Sequence, residues 1–122
     1  MGTTNFFDGK RPQQFITNGS IASNFTSNPI ECLLLDRVGL EFTWTTADVN
    51  GTLYIQGTIT GNVFQNLPST SPTVISIAIA GVSGSQIFDI DCKAFSKIQA
   101  FFSRTSGTAG TLNGWWLAKG TI

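Results

Sequence analysis

The 122-residue sequence predicts an all-β fold, two antiparallel sheets packed face to face. Three observations lead there. Apolar and polar residues alternate with period two along most of the chain. No long stripe at the helical period is present. Clusters of Gly, Pro, Asn, Ser and Thr punctuate the alternating runs at the spacing of short strands.

The elements follow in order. Residues 1–14 lack strand periodicity, end in a basic pair and a proline, and read as an extended N-terminal arm; residues 15–122 read as the sandwich domain. Weaker strand runs lie near Ser20–Phe25 and Ile30–Leu35. VGLEFTWT alternates cleanly, with Val38, Leu40, Phe42 and Trp44 on one face and Glu41, Thr43 and Thr45 on the other. Asn50-Gly51 is a hairpin-turn signal and opens a strand whose Leu53, Ile55 and Ile59 share a side. TVISIAIA turns Ile75, Ile77 and Ile79 inward, and SQIFDID does the same with Phe88 and Ile90, leaving Asp89 and Asp91 outward. SKIQAFFS places Ile98, Ala100 and Phe102 on one face, and TLNGWWLAK pairs with it across the loop TSGTAG. The total is about seven or eight strands. Asp91–Lys97 has room for one helical turn, and no internal repeat stands out. Phe42, Trp44, Leu53, Ile55, Ile75, Ile77, Ile79, Phe88, Ile90, Ile98, Phe102 and Trp116 form the expected core.

Composition excludes several functions. At 41% apolar the chain can build a core. Seven bases balance seven acids and are scattered, so no nucleic-acid partner is expected. Histidine is absent, which removes the usual general base and the commonest metal ligand. Asp89 and Asp91 share a strand face, but no calcium-loop motif surrounds them, and they read as solvated acids. There is no nucleophile elbow and no phosphate-binding glycine loop. No catalytic residue, cofactor or metal is therefore expected. Cys32 and Cys92 are too few for a disulfide scaffold; buried free thiols are favoured over a pair. No signal peptide and no apolar run long enough to span a bilayer is visible, so no membrane partner is expected.

Binding and assembly remain. Trp115 and Trp116 are adjacent on one strand and must point opposite ways. Leu112, Trp116 and Ala118 share the face that suits a core. Trp115 and Leu117 face outward, and a simple TSGTAG hairpin would set Phe101 opposite Trp115. Phe101, Trp115 and Leu117 thus form an expected subunit interface, with cover by the chain's own arm or a ligand as rival readings.

GTLYIQGTITGNVFQNLP, Gly51 to Pro68, resembles a pattern in small all-β bacteriophage virion accessory proteins. There a strand ending in Val/Ile-Gln-x-Ser/Thr leads through a turn to an aromatic and a short polar-apolar run. Here the turn is Ile59-Thr60-Gly61-Asn62 rather than Asn-Asp-Gly, and Phe64 stands where Trp is frequent. Phe95 to Gly120 is similar to the closing hairpin of the same proteins, with Arg104 and Lys119-Gly120 matching. The resemblance implies a compact jelly-roll-like sandwich, a non-enzymatic capsid decoration protein or head or tail component, and a homotrimer. It implies a major capsid or tail protein as partner, docked by the arm through Phe6, Phe7, Lys10 and Arg11, and a place in the virion after synthesis in the host cytoplasm. The alternative is a carbohydrate- or receptor-binding sandwich whose exposed aromatics stack on sugar rings.

Overall fold

The computed structural model describes residues 12–33, 35–46, 48–67, 76–80 and 82–119. The described residues form ten strands: β1 (Gln13–Ser20), β2 (Phe25–Thr26), β3 (Ile30–Glu31), β4 (Arg37–Thr46), β5 (Asn50–Thr58), β6 (Gln65–Asn66), β7 (Ser76–Ile79), β8 (Ser83–Asp91), β9 (Lys97–Ser106) and β10 (Gly110–Lys119). One sheet has the order β1-β10-β4-β8. In the other, β9 and β5 lie side by side, with β2 and β3 on the free side of β9 and β6 and β7 on the free side of β5. All pairings are antiparallel.

β2 and β3 are one interrupted strand. Their register against β9 slips by one residue between Thr26↔Phe101 and Ile30↔Ile98. Ser27 covers the break: its backbone N–H donates to the Ala100 carbonyl at 2.9 Å, and its Oγ accepts from the Ala100 N–H at 2.9 Å. With β2/β3 and β6/β7 each counted once, the sheets read 1-8-3-6 and 2-7-4-5 in chain order. This is the two-Greek-key order of a jelly roll.

The core fills the space between the sheets. Phe42, Trp44, Leu53, Ile55, Ile79, Ile90, Ile98 and Phe102 are buried there, as the alternation predicts. Ile77, Phe88 and Trp116 are partly buried against it. Ile75 lies outside the described residues. The sequence reading passed over Ile16, Ile21, Val49 and Leu67, which are buried in β1 or in links between strands. Phe42 is fully buried and takes edge-on contacts from Phe15 at 5.8 Å and Phe88 at 6.0 Å.

Several local expectations change. TSGTAG does not close a hairpin: β9 and β10 lie in different sheets, and the loop carries the chain from one to the other. Asn50-Gly51 begins β5 and makes no hairpin turn, because β4 and β5 also lie in different sheets. Glycine is needed at position 51 for another reason. A Cβ there would fall 2.4 Å from the Phe102 ring and 2.4 Å from the Ser103 carbonyl oxygen. Ser20 ends β1 and Phe25 opens β2, so the run between them is a link and not a strand; of the described residues in Ile30–Leu35 only the first two are strand. Asp91–Lys97 holds a hydrogen-bonded turn, Phe95 N–H to the Cys92 carbonyl at 3.1 Å, and no helix. β1 begins at Gln13, within the stretch read as arm.

An internal repeat is present after all. Ile30-Glu31-Cys32 and Leu35-Asp36-Arg37-Val38 return sixty positions later as Ile90-Asp91-Cys92 and Phe95-Ser96-Lys97-Ile98. Gly51-Thr52-Leu53 returns as Gly110-Thr111-Leu112 at a spacing one residue shorter. The repeat maps each sheet onto the other, because β3, β4 and β5 correspond to β8, β9 and β10. Its two cysteine turns clasp each other. The Cys32 N–H donates to the Ser96 carbonyl at 2.8 Å, and the Cys92 N–H donates to the Asp36 carbonyl at 3.0 Å. Both thiols are free and buried. Hydrogen bonding to Cys92, then burial, pushes the Cys32 thiol far above its ordinary range.

The opposite end is latched by Asp48, in the link from β4 to β5. Its Oδ1 accepts from the N–H groups of Thr108 at 2.9 Å and Ala109 at 3.1 Å, and its Oδ2 accepts from the Thr108 hydroxyl at 3.0 Å. Gly107 lies against this latch with φ +104°, and a Cβ there would stand 2.4 Å from the Val49 Cα. The three donors hold the Asp48 carboxyl below its ordinary value.

Two outcomes follow. Phe42→Ala should cost about 3–5 kcal/mol in urea unfolding. It is a cleaner probe than Trp44, whose buried indole N–H has no acceptor among the described residues and would be removed together with the ring. Asp48 has a depressed pKa when folded, so its contribution is fully present above the unfolded carboxylate value of about 3.9 and is lost as pH falls below it. Asp48→Asn should therefore lower the melting temperature at neutral pH and flatten its fall below about pH 4. An unchanged acid limb would contradict the latch.

Candidate binding face

The outward residues of the β1-β10-β4-β8 sheet make the candidate site. β10 is central and flanked on both sides, so its outward side chains stand mid-face. Cross-strand register sets Gln14, Trp115, Glu41 and Ile87 in one row. The next row runs Leu117, Gly39, Asp89. Parity holds as the sequence implies: Trp115 is outward and partly exposed, while Trp116 turns inward and packs on the core.

A shallow depression of about 180 Å³ lies between these rows, lined by Pro12, Gly39, Leu40, Glu41, Ile87, Trp115, Trp116 and Leu117. Gly39 creates it. A Cβ at that position would meet nothing nearer than the Leu117 carbonyl oxygen at 3.9 Å, so the floor is bare where any other residue would stand. Ile87 is 66% exposed beside it. Glu41 is the one ionisable group in the lining. At the rim, Arg37 grips Asp89 with two bonds, Nε to Oδ1 at 3.0 Å and Nη2 to Oδ2 at 2.9 Å. This contact lowers the Asp89 carboxyl and raises the Arg37 guanidinium from their ordinary values. Asp89 is thereby engaged, and the lining of the depression is apolar apart from Glu41. Among the described residues no group of three or more His, Cys, Asp or Glu side chains is placed to hold a metal ion.

The expected three-residue patch is only partly assembled. Trp115 and Leu117 share the face, but Phe101 does not. It is paired with Tyr54 and Thr26 on the outer surface of the other sheet, on the far side of the sandwich. The cause is the TSGTAG crossing, which puts β9 and β10 in separate sheets. Ile87 and Pro12 take its place. The signal for Ile87 was in the sequence, since it shares strand parity with the outward Asp89. Phe6, Phe7, Lys10 and Arg11 lie outside the described residues.

No protein-family model matches the sequence, and no curated protein sequence matches it. Among solved structures the chain is similar to SPBc2 prophage-derived protein YomS, with 10% sequence identity, a TM-score of 0.56, and coverage of 98% of this chain and 99% of that one. It is also similar to the coat protein of Tobacco streak virus, with 13% identity, a TM-score of 0.46 and coverage of 92% and 83%. A third similarity is to a mutant VP2 protein of Infectious Bursal Disease Virus, with 15% identity, a TM-score of 0.41 and coverage of 98% and 34%. The likeness to the prophage protein spans both chains and is one of fold: an all-β antiparallel sandwich.

Proposed function

We propose that this protein is a non-enzymatic structural component of a bacteriophage virion, a decoration or accessory protein that binds a capsid or tail protein and self-associates. The apolar depression around Trp115, Leu117 and Ile87 carries the self-association reading. Burying a large apolar side chain is worth about 1.5–3 kcal/mol, and a closed oligomer gains it once per copy. A sugar-binding platform needs several polar groups beside its aromatic ring, and this depression offers one, Glu41. Protein contact therefore fits it better than a glycan. The full-length likeness to a prophage-derived protein supports a phage setting, and the resemblance of Gly51–Pro68 and Phe95–Gly120 to phage accessory proteins supports a place in the virion. Three-fold closure is the count that resemblance implies. Docking is assigned to the arm, with Phe6 and Phe7 as apolar anchors and Lys10-Arg11 as its charge.

Trp115→Ser combined with Leu117→Ser should give a smaller, still folded species by light scattering; an unchanged mass would sink the face reading. Deleting residues 1–11, which stops short of β1, should leave the melting temperature nearly unchanged and abolish co-sedimentation with purified capsids. Full-length protein that fails to sediment with capsids or tails would count against a virion role.

A further inference from the structure

Among the described residues the sandwich has four sheet edges, and three are broken. β1 slips register twice against β10 and carries Asn18 at φ 48°. β2 and β3 are split at Ser27. β6 and β7 are two short pieces of two and four residues. β8 is different. It runs nine residues in unbroken register along β4, from Thr45↔Ser83 to Arg37↔Asp91, and nothing among the described residues pairs with its other side.

Natural edges are guarded by proline, lysine, bulges or free charge, because a regular edge offers unpaired N–H and C=O groups to any strand. Ser83–Asp91 contains no proline, no lysine and no bulge. Its two acids stand toward one end, Asp89 paired with Arg37 at 2.9 Å and Asp91 3.7 Å from Lys93 Nζ, and Ser83–Phe88 carries no charge. At the middle of the strand stands Ile87, 66% exposed.

We propose that the β8 edge pairs antiparallel with the β8 edge of a second copy, across a two-fold axis at Ile87. The sequence is self-complementary in that register. Ile87 meets Ile87, Asp89 falls opposite Ser85, and Asp91 falls opposite Ser83. A register centred on Asp89 would instead set two carboxylates against each other, which cross-strand pairing disfavours. The contact is isologous and joins two outer faces into one continuous sheet, bringing two Trp115–Leu117–Ile87 depressions onto the same surface. Alone it makes a dimer; together with three-fold closure through the face it makes a hexamer. It rests on the self-association part of the function proposed above, through a different surface, and does not require a virion.

The test is the mass of the full chain by light scattering at one concentration, with folding followed by circular dichroism. Wild-type protein should hold an even number of copies. Ser85→Asp sets a carboxylate opposite Asp89 of the second copy and should halve the mass. Ser85→Lys, opposite in sign at the same position, should keep it. Ser83→Asp, opposite Asp91, repeats the test two residues away if the first variant misfolds. A monomeric or trimeric wild type overturns the proposal, as does an unchanged mass in both Asp variants, or a lysine that acts like the aspartate. Trp115→Ser with Leu117→Ser reads the face separately. If that variant changes mass and the Asp variants do not, the face contact stands and the edge pairing falls.

Discussion

The structure depends on two short backbone hydrogen bonds at one end of the sandwich, Cys32 to Ser96 and Cys92 to Asp36. Each joins a turn that leaves one sheet to a turn that leaves the other. A single such bond contributes only about 0.5–1.5 kcal/mol net. Their weight comes from position. The cysteines are buried, so losing either bond would leave a donor away from water. They also set where β4 and β9 begin, and with that the parity of both. Val38, Leu40 and Phe42 follow from one, Ile98, Ala100 and Phe102 from the other. The core is the meeting of these two rows.

Asp48 does at the far end what the cysteine turns do at the near one, with different chemistry. There the crossing links are exposed, and a carboxylate gathers their N–H groups in place of reciprocal carbonyls. The cysteine clasp is made of backbone groups alone, whereas the Asp48 latch rests on a carboxylate. That carboxylate holds the β4–β5 and β9–β10 links together, so its protonation loosens the joint between them.

Parity was legible in the sequence because it is local. Alternation along VGLEFTWT and TLNGWWLAK assigns inward and outward side chains without reference to any other strand. Trp115 and Trp116 are sorted correctly on that ground alone. Sheet membership was not legible, because a strand alternates identically whether the next turn closes a hairpin or crosses the sandwich. Phe101 was misplaced for this reason only: its outward orientation is right and its sheet is wrong. Gly51 misled similarly, since Asn-Gly reads as a turn while the glycine is there to admit the Phe102 ring. The cysteine repeat was open to inspection; its sixty-residue spacing and the conservative exchanges Glu31/Asp91 and Arg37/Lys97 hid it from a search for identical motifs.

The strand order also governs how the chain meets its own synthesis. Among the described residues β1 has only β10 as a ladder partner, β4 has β10 and β8, β2 and β3 have β9, and β5 has β9 and β7; β5 with β6 is the one described ladder closed before residue 76. As the polypeptide leaves the ribosome, Leu40, Phe42 and Trp44 emerge long before the segments that will cover them. β4 and β5 find partners in β8 and β7 only from residue 76 onward, and β1, β2 and β3 wait for β9 and β10 in the final stretch, which joins the remaining strands of both sheets. Completion of both sheets is therefore a late event, and the nascent first half exposes apolar strand to aggregation while it waits.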